Sequence, residues 1–131
     1  MASPPDEPKR CVVVIDDDDD FVLLVKMMLA DQGLEIVTAS LGQRGLELMR
    51  ARRPDVVILD LMLPDMNGWE VYMQMQQEPT FSDIPVIILS VQGARPDRNF
   101  GLQVAQVHDY VVKPCLPSRL RRSVASALAR R

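Results

Sequence analysis

The sequence contains few of the residues that build metal clusters, disulfide frameworks or membrane spans. It has two cysteines and one histidine among 131 residues. Cys11 and Cys115 have neither the spacing of a metal site nor that of a disulfide framework, and the lone His108, ahead of an apolar segment, is typical of a surface residue. No apolar run approaches the ~20 residues that a membrane-spanning helix needs. The sequence therefore gives no support for a cysteine- or histidine-based metal centre or a membrane span.

An excess of basic charge is also missing. The formal net charge is −3, which gives no reason to expect a nucleic acid as ligand. Hydrophobic residues make up 47% and charged residues 25% of the chain, as in a globular domain of this length. The polar, proline-rich start does not resemble a secretory signal. We expect a lead-in or linker over residues 1–9, one domain over residues 10–131, and a cytoplasmic protein.

The chain does contain a regular alternation of strand-like and helix-like segments. Alternation of this kind with short connections predicts an α/β fold, a (βα)5 doubly wound parallel sheet with helices on both faces. The flavodoxin-like strand order 2-1-3-4-5 is the arrangement we expect. The predicted strands are Cys11–Asp16, Leu34–Ala39, Asp55–Asp60, Ile84–Ser90 and Asp109–Lys113. The later predicted helices cover Trp69–Gln77, Pro96–Gln106 and a segment that begins at Pro117.

The first two helices carry more detailed signals. Asp18 or Asp19 can cap the first helix, and Gly33 is expected just past its end in a left-handed conformation. The strand that starts at Leu34 alternates apolar and polar residues, which suggests an edge position. The second helix should stop before Pro54. The predicted inward positions are Phe21, Leu24, Val25 and Met28 in the first helix, and Leu41, Gly45, Leu48 and Met49 in the second.

Four of the predicted strands end at polar side chains. Asp16 and Asp17 follow the first strand, Asp60 the third, Ser90 the fourth and Lys113 the fifth. The carboxyl ends of parallel strands line one edge of the sheet, where ligands bind, and neighbouring strands lie about 4.8 Å apart. The sequence therefore predicts that an acidic pair, a lone carboxylate, a hydroxyl and an ammonium converge there.

This set of groups suits phosphoryl transfer. Three carboxylates held close together repel unless a proton or a cation intervenes, and Mg²⁺ prefers oxygen ligands of this kind. An ionised Asp60 can attack phosphorus as a nucleophile, while Lys113 and Ser90 can stabilise the oxygens of the transferred group. We expect an aspartyl phosphate as the product.

Two other interpretations of the acidic residues are weaker. A calcium-binding EF-hand loop over the aspartate run requires glycine where Phe21 stands and glutamate where Met27 stands. A Mg²⁺-dependent phosphohydrolase of the haloacid dehalogenase type needs a second aspartate two positions after the nucleophile. Met62 occupies that position, and such a nucleophile belongs near the first strand. The phosphohydrolase is kept as the alternative from the enzyme class.

The motifs resemble those of the receiver domain of two-component response regulators, the CheY-like family. The resemblance extends from about Cys11 to Ala129, and the motifs are specific in their order and spacing rather than one by one. They are Val-Val-Ile-Asp-Asp-Asp at 13–18, Asp-Val-Val-Ile-Leu-Asp-Leu-Met-Leu-Pro-Asp-Met-Asn-Gly at 55–68, Pro-Val-Ile-Ile-Leu-Ser at 85–90, and Asp-Tyr-Val-Val-Lys-Pro at 109–114.

The resemblance implies a role for each matching residue of the metal site. Asp60 is the expected phosphoacceptor and also a metal ligand. Asp17 corresponds to the direct Mg²⁺ ligand, and Asp16 to its neighbour that acts largely through water. The main-chain carbonyl of Met62 is the further expected ligand.

The remaining matches concern the phosphoryl group and the response to it. Ser90 and Lys113 take the phosphoryl-binding roles, and Tyr110 matches the aromatic switch position. The resemblance also implies a cis peptide bond between Lys113 and Pro114.

The resemblance further implies a signalling protein and not an enzyme with a separate substrate. The expected phosphoryl donor is a sensor histidine kinase or a histidine phosphotransfer protein. An effector domain or dimer partner would contact the face formed by the helix at Pro96–Gln106, the last strand and the helix from Pro117. No nucleic-acid or membrane partner is expected for this chain. A degenerate receiver, acting as a constitutive interaction module, is the other alternative, but its hallmark is loss of the acceptor or the acidic pair.

Overall fold

The structure is a computed structural model that describes residues 9–91 and 106–130. The helix predicted over Pro96–Gln106 falls almost wholly outside this part of the chain. None of the described helices is long and apolar enough to cross a membrane. The strands are β1 (Arg10–Ile15), β2 (Leu34–Ala39), β3 (Val56–Leu59), β4 (Val86–Ser90) and β5 (Asp109–Val112). The described helices are α1 (Asp19–Met28), α2 (Gly42–Arg52), α3 (Gly68–Gln77) and α4 (Pro117–Ala129).

The five strands form one parallel sheet in the order β2-β1-β3-β4-β5. The predicted fold class and strand order are confirmed, and β2 lies at the edge as its alternating pattern suggested. Ile15 of β1 pairs with Leu59 of β3. This register ends both strands at the same level, so that the residues after them face the same crevice.

The sheet separates two apolar cores. Alternate residues of β1 point to opposite faces, because successive side chains of a strand do so. Val13 and Ile15 lie in the core beneath α2 and α3, and Val12 and Val14 lie in the core beneath α1 and α4. Burial on both faces explains why the central strands are continuously apolar.

Helix α1 confirms one predicted cap and corrects another. The Asp18 carboxylate accepts a hydrogen bond from the Phe21 backbone N–H at 3.1 Å, as an N-cap. The helix ends at Met28 with Leu29 as its C-cap at φ −99°. Gly33 has the expected positive φ of 69°, but it lies in the turn into β2. The left-handed residue therefore shapes the start of a strand and does not cap the helix.

The predicted inward faces of α1 and α2 are partly wrong. Phe21 and Val25 are buried, but Leu24 is 45% exposed. In α2 the predicted positions Gly45 and Met49 are buried, and so is Leu46, which was not predicted, whereas Leu41 precedes the helix and is 40% exposed. A Cβ at Gly45 would lie 2.7 Å from Ile15 Cγ1, so α2 packs very close to β1. This close contact rotates Leu46, and not Leu48, into the core.

Candidate functional site

The acidic residues take their positions from the ends of β1 and β3. The Asp60 backbone N–H donates to the Ile15 carbonyl at 2.9 Å, and the Asp16 backbone N–H donates to the Ala39 carbonyl at 2.9 Å. These bonds continue the sheet pairing one step past the strands. Asp16 and Asp60 are therefore fixed by the backbone of neighbouring strands and not by a free loop.

Three carboxylates converge at this edge of the sheet. Asp16, Asp17 and Asp60 each offer an oxygen, and these oxygens lie within 4.8 Å of one another. Asp16 and Asp60 are buried, and Asp17 is exposed. The predicted convergence of the acidic pair with the lone carboxylate is therefore present in the structure, as a cluster that could hold a metal ion.

Lys113 supplies the cation of the pocket. Its Nζ donates to Asp16 Oδ2 at 2.7 Å and to Asp60 Oδ2 at 3.2 Å, and its side chain is only 9% exposed. Burial alone would lower the pKa of Lys113, but the hydrogen bonds and negative charges of Asp16 and Asp60 outweigh it and raise the pKa. The side chain is therefore held in its charged form between two of the carboxylates.

The backbone around Lys113 ties it to β4. The Lys113 backbone N–H donates to the carbonyl of Ser90 at 2.9 Å, which extends the pairing of β4 with β5 by one residue. The Lys113–Pro114 peptide bond is cis, as predicted.

One ammonium does not balance three carboxylates. Three negative charges and one positive charge leave a formal charge of −2 in the pocket. Burial raises the pKa of Asp16, although hydrogen bonds from Lys113 and the Asp18 backbone N–H act in the opposite direction. The donor set is made only of hard oxygen ligands, and a divalent cation such as Mg²⁺ fits both their type and the excess charge.

Ser90 and Tyr110 lie deeper, along β4 and β5. Ser90 is the last residue of β4 and is fully buried. Tyr110 is 3% exposed and pairs with Ile88 of β4, within the core beneath α2 and α3. The structure therefore places Ser90 at the same sheet edge as the carboxylates and Tyr110 inside the protein.

The loop after Asp60 wraps around its carboxylate. The Met62 backbone N–H donates to Asp60 Oδ1 at 3.2 Å, while the Met62 side chain is 54% exposed. Gly68, at the start of α3, packs directly against the main chain of Asp60 and Leu61, and its N–H donates to the Leu61 carbonyl at 2.9 Å. A Cβ at position 68 would lie 2.7 Å from Leu61 Cα, so only glycine fits beneath the loop.

Sequence reasoning missed one contact of the pocket. The Lys113 Nζ lies 4.3 Å from the centroid of the Phe21 ring, a cation–π distance. Phe21 was assigned only to the apolar face of the first helix. Its nearness to Lys113 depends on β1 and β5 lying in one sheet with α1 above them, and no local spacing signals that contact.

Comparisons with known proteins agree with this architecture. A family model described as the response regulator receiver domain matches residues 12–125. A putative response regulator from Chloroflexus aurantiacus superposes with a TM-score of 0.86 at 28% identity, covering 93% of this chain and 99% of that one. The chemotaxis response regulator CheY4 of Vibrio cholerae gives a TM-score of 0.83 at 25% identity, covering 92% and 100%.

Curated relatives are longer than this chain. A probable transcriptional regulator, ycf27, of Porphyra purpurea is 39% identical over 98 residues, which are 75% of this chain and 39% of the relative. A probable transcriptional regulatory protein, TcrX, of Mycobacterium tuberculosis is 42% identical over 91 residues, which are 70% and 38%. The chain thus spans about two fifths of the length of these relatives. The family model covers the strands and the acidic pocket alike, and on this match the chain belongs to the response regulator receiver domain family.

Proposed function

We propose that the chain is a phosphorylation-activated receiver that accepts a phosphoryl group on Asp60 in a Mg²⁺-dependent reaction. The observation that carries the proposal is the pocket itself. Asp16, Asp17 and Asp60 present oxygens within 4.8 Å of one another, and Lys113 bridges two of them. An ion pair that only stabilises the fold needs one carboxylate for each cation. This pocket instead has three carboxylates and one ammonium, and two of the carboxylates, Asp16 and Asp60, are buried.

Mg²⁺ would be held by Asp16, Asp17, Asp60 and the main-chain carbonyl of Met62. When bound, it would neutralise the excess negative charge and help to stabilise the oxygens of a phosphoryl group. Asp17 is the exposed carboxylate of the cluster, and we assign it as the direct ligand. Asp16 already accepts from Lys113 and from the Asp18 N–H, which fits a ligand that acts largely through water.

The reaction is a displacement at phosphorus. A carboxylate oxygen of Asp60 attacks the phosphorus of a phosphohistidine, and the P–N bond breaks as the P–O bond forms. The electron pair goes to the imidazole nitrogen, which then takes up a proton. Lys113 and Ser90 bind oxygens of the phosphoryl group during its transfer, because transfer of this kind is accelerated mainly by positioning and charge.

The partners follow from this chemistry. The donor is a phosphohistidine on a sensor histidine kinase or a histidine phosphotransfer protein. The response is a rearrangement of Ser90 and Tyr110 that reshapes the surface of β5 and α4, a two-state element biased by one new charged group. Because longer relatives are named transcriptional regulators, we propose that an effector domain or a dimer partner binds this surface.

The first test is labelling with acetyl phosphate, a small phosphodonor. We expect wild-type protein with Mg²⁺ to gain one phosphoryl group, measured by intact mass. Asp60→Asn should gain none, because an amide is not a nucleophile towards phosphorus. Asp20→Asn, which changes an exposed carboxylate of α1, is the matched control and should label like the wild type. Labelling of Asp60→Asn at the wild-type level would refute the assignment.

The second test concerns the metal. Asp17→Ala should weaken Mg²⁺ binding in calorimetry, because it removes a direct ligand. Asp20→Ala is the control from the same acidic run. Equal Mg²⁺ affinity of wild type and Asp17→Ala would move the metal site elsewhere.

The two alternatives give different results in the same assays. A phosphohydrolase of the haloacid dehalogenase type would release phosphate continuously from phosphomonoesters, whereas the receiver stops at one phosphoryl group per chain. A degenerate receiver would take up none and would bind its partner equally well with and without acetyl phosphate.

A further inference from the structure

The Lys113 side chain is only 9% exposed, so its ammonium has little contact with solvent. A lysine ammonium is a donor of three hydrogen bonds. Two directions are taken by Asp16 Oδ2 and Asp60 Oδ2. The centroid of the Phe21 ring lies 4.3 Å from the Lys113 Nζ. Phe21 is likewise only 9% exposed.

The position of Phe21 is itself fixed by the acidic run. The Asp18 carboxylate caps α1 by accepting from the Phe21 N–H at 3.1 Å, and the ring packs in the core beneath α1 and α4 with Val25 and Leu120. The cap fixes the backbone at residue 21, and packing in the core holds the ring beside Lys113. The Phe21 ring therefore forms a fixed side of the pocket.

We infer that Phe21 is a positioning residue for phosphoryl transfer, acting through the negative face of its ring on the Lys113 ammonium. The inference rests on the proposed function and adds to it. When the phosphoryl group arrives, Lys113 must exchange its contact with Asp60 for a phosphoryl oxygen. The Phe21 ring and Asp16 hold the ammonium at the pocket during that exchange, and the ring excludes water that would screen its charge.

The alternative is that Phe21 only fills space in the core. Phe21→Leu keeps an apolar side chain and removes the ring face, so it should slow phosphorylation by acetyl phosphate by roughly three- to thirty-fold, the range for a desolvated cation–π contact. Phe21→Tyr and Phe21→Trp keep an aromatic face, and the better tolerated of the two should restore most of the rate.

Fluorinated phenylalanines separate the two roles more sharply. Each fluorine weakens the negative face of the ring while changing its volume little. Replacing Phe21 by 4-fluoro-, 3,5-difluoro- and 3,4,5-trifluorophenylalanine should lower the phosphorylation rate step by step. Thermal unfolding of each variant checks that the fold is kept. A rate that is insensitive to fluorination would overturn the inference, even if Phe21→Leu is slow.

A spectroscopic measurement tests the contact without any phosphorylation. The chain has three lysines, Lys9, Lys26 and Lys113, so a spectrum of lysine-labelled protein contains few signals. The ε-methylene protons of Lys113 should be shifted upfield by the ring current of Phe21, and the shift should vanish in Phe21→Leu. Lys113→Arg assigns the signal.

The outcomes distinguish the inference from the proposed function. If Asp60→Asn labels like the wild type, the proposed function fails whatever Phe21 does. If labelling requires Asp60 but Phe21→Leu reacts at the wild-type rate, or if the Lys113 signal is not shifted, the assignment of Phe21 is wrong and the proposed function stands.

Discussion

The two ends of β5 carry two carboxylate–cation clusters with opposite properties. At its start, Arg119 donates to both oxygens of Asp109 at 2.7 and 3.0 Å. Just past its end, Lys113 donates to Asp16 and Asp60 at 2.7 and 3.2 Å. Both clusters are partly buried and both join β5 to another element. They differ in how many negative charges each cation must satisfy.

The same competition between burial and pairing has opposite results in the two clusters. Burial raises the pKa of Asp109, but the hydrogen bonds from Arg119 and its nearby charge outweigh this and bring the pKa below the ordinary value of 3.8. For Asp16, burial outweighs the hydrogen bonds from Lys113 and leaves the pKa raised. The first cluster is neutral, because its one carboxylate is paired with one guanidinium, and we interpret it as stabilising the fold. The second has an excess of negative charge, which supports the proposal that it accepts a cation and a phosphoryl group.

Removing the cation of the unbalanced cluster should have the largest effect. Lys113→Ala deletes one proposed donor to the transferred group, and we expect Mg²⁺-dependent labelling by acetyl phosphate to slow by about 10²–10³-fold. Lys26→Ala, on the exposed side of α1, is the control. A Lys113→Ala rate close to that of Lys26→Ala would remove the functional distinction between the two clusters.

Changing the neutral Asp109–Arg119 pair should instead affect stability. Asp109→Asn loses a charge-assisted bidentate pair, and we expect the free energy of unfolding in urea at neutral pH to fall by about 1–2 kcal/mol. Labelling by acetyl phosphate should stay at the wild-type rate. Loss of labelling without loss of stability would contradict the structural role that we assign to Asp109.

The difference in unfolding free energy between wild type and Asp109→Asn should depend on pH with a defined sign. Because the pKa of Asp109 is lowered in the folded protein, its contribution to stability is complete above the ordinary value of 3.8 and is lost as the pH falls through the lower folded value. The difference between wild type and Asp109→Asn should therefore shrink only in this acidic range. A difference that disappears already near neutral pH would show that another group is responsible.

A smaller effect is expected at the rim of the acceptor pocket. Met62 can neither donate nor strongly accept a hydrogen bond, so it cannot hold water for attack on the phosphoryl group. The exposed Val91 side chain should also crowd the approach. We expect slow spontaneous phosphate loss, which Met62→Asn should accelerate several-fold in a decay measurement, and Val91→Ala should speed labelling by acetyl phosphate. Met73→Asn is matched to Met62→Asn, since both methionines are 54% exposed.

The lifetime prediction can fail in two ways. Phosphate loss that is already fast in the wild type would contradict it. Equal decay rates of Met62→Asn and Met73→Asn would show that the side chain at position 62 does not control water. Gln92, two residues after Ser90, is the other position whose side chain could orient water, and it lies outside the described residues.

Much of the fold follows from patterns that act over a few residues. Strand β3 is continuously apolar because both faces are covered, and β2 alternates because it lies at the edge. The convergence of Asp16 and Asp60 could be predicted because parallel strands end at one edge. In each case a local pattern and a general rule of sheet geometry are sufficient.

The errors concern contacts between elements. Leu46, and not Leu48, is buried because Gly45 lets α2 pack very close to Ile15. Gly33 serves the turn into β2 because α1 ends earlier, at Met28. The contact of Phe21 with Lys113 depends on three elements packed together. Such positions are set by how closely two surfaces pack, which residue spacing does not encode.

The most direct test of the central claim is to locate the phosphoryl group covalently. An acyl phosphate on an aspartate is reduced by borohydride to homoserine, which marks the position in a peptide mass spectrum. After reaction with acetyl phosphate and Mg²⁺, we predict homoserine at position 60 alone, and none when Mg²⁺ is removed by a chelator. Homoserine at Asp16, Asp17 or Asp109, or none at position 60 in a phosphorylated sample, would contradict the account.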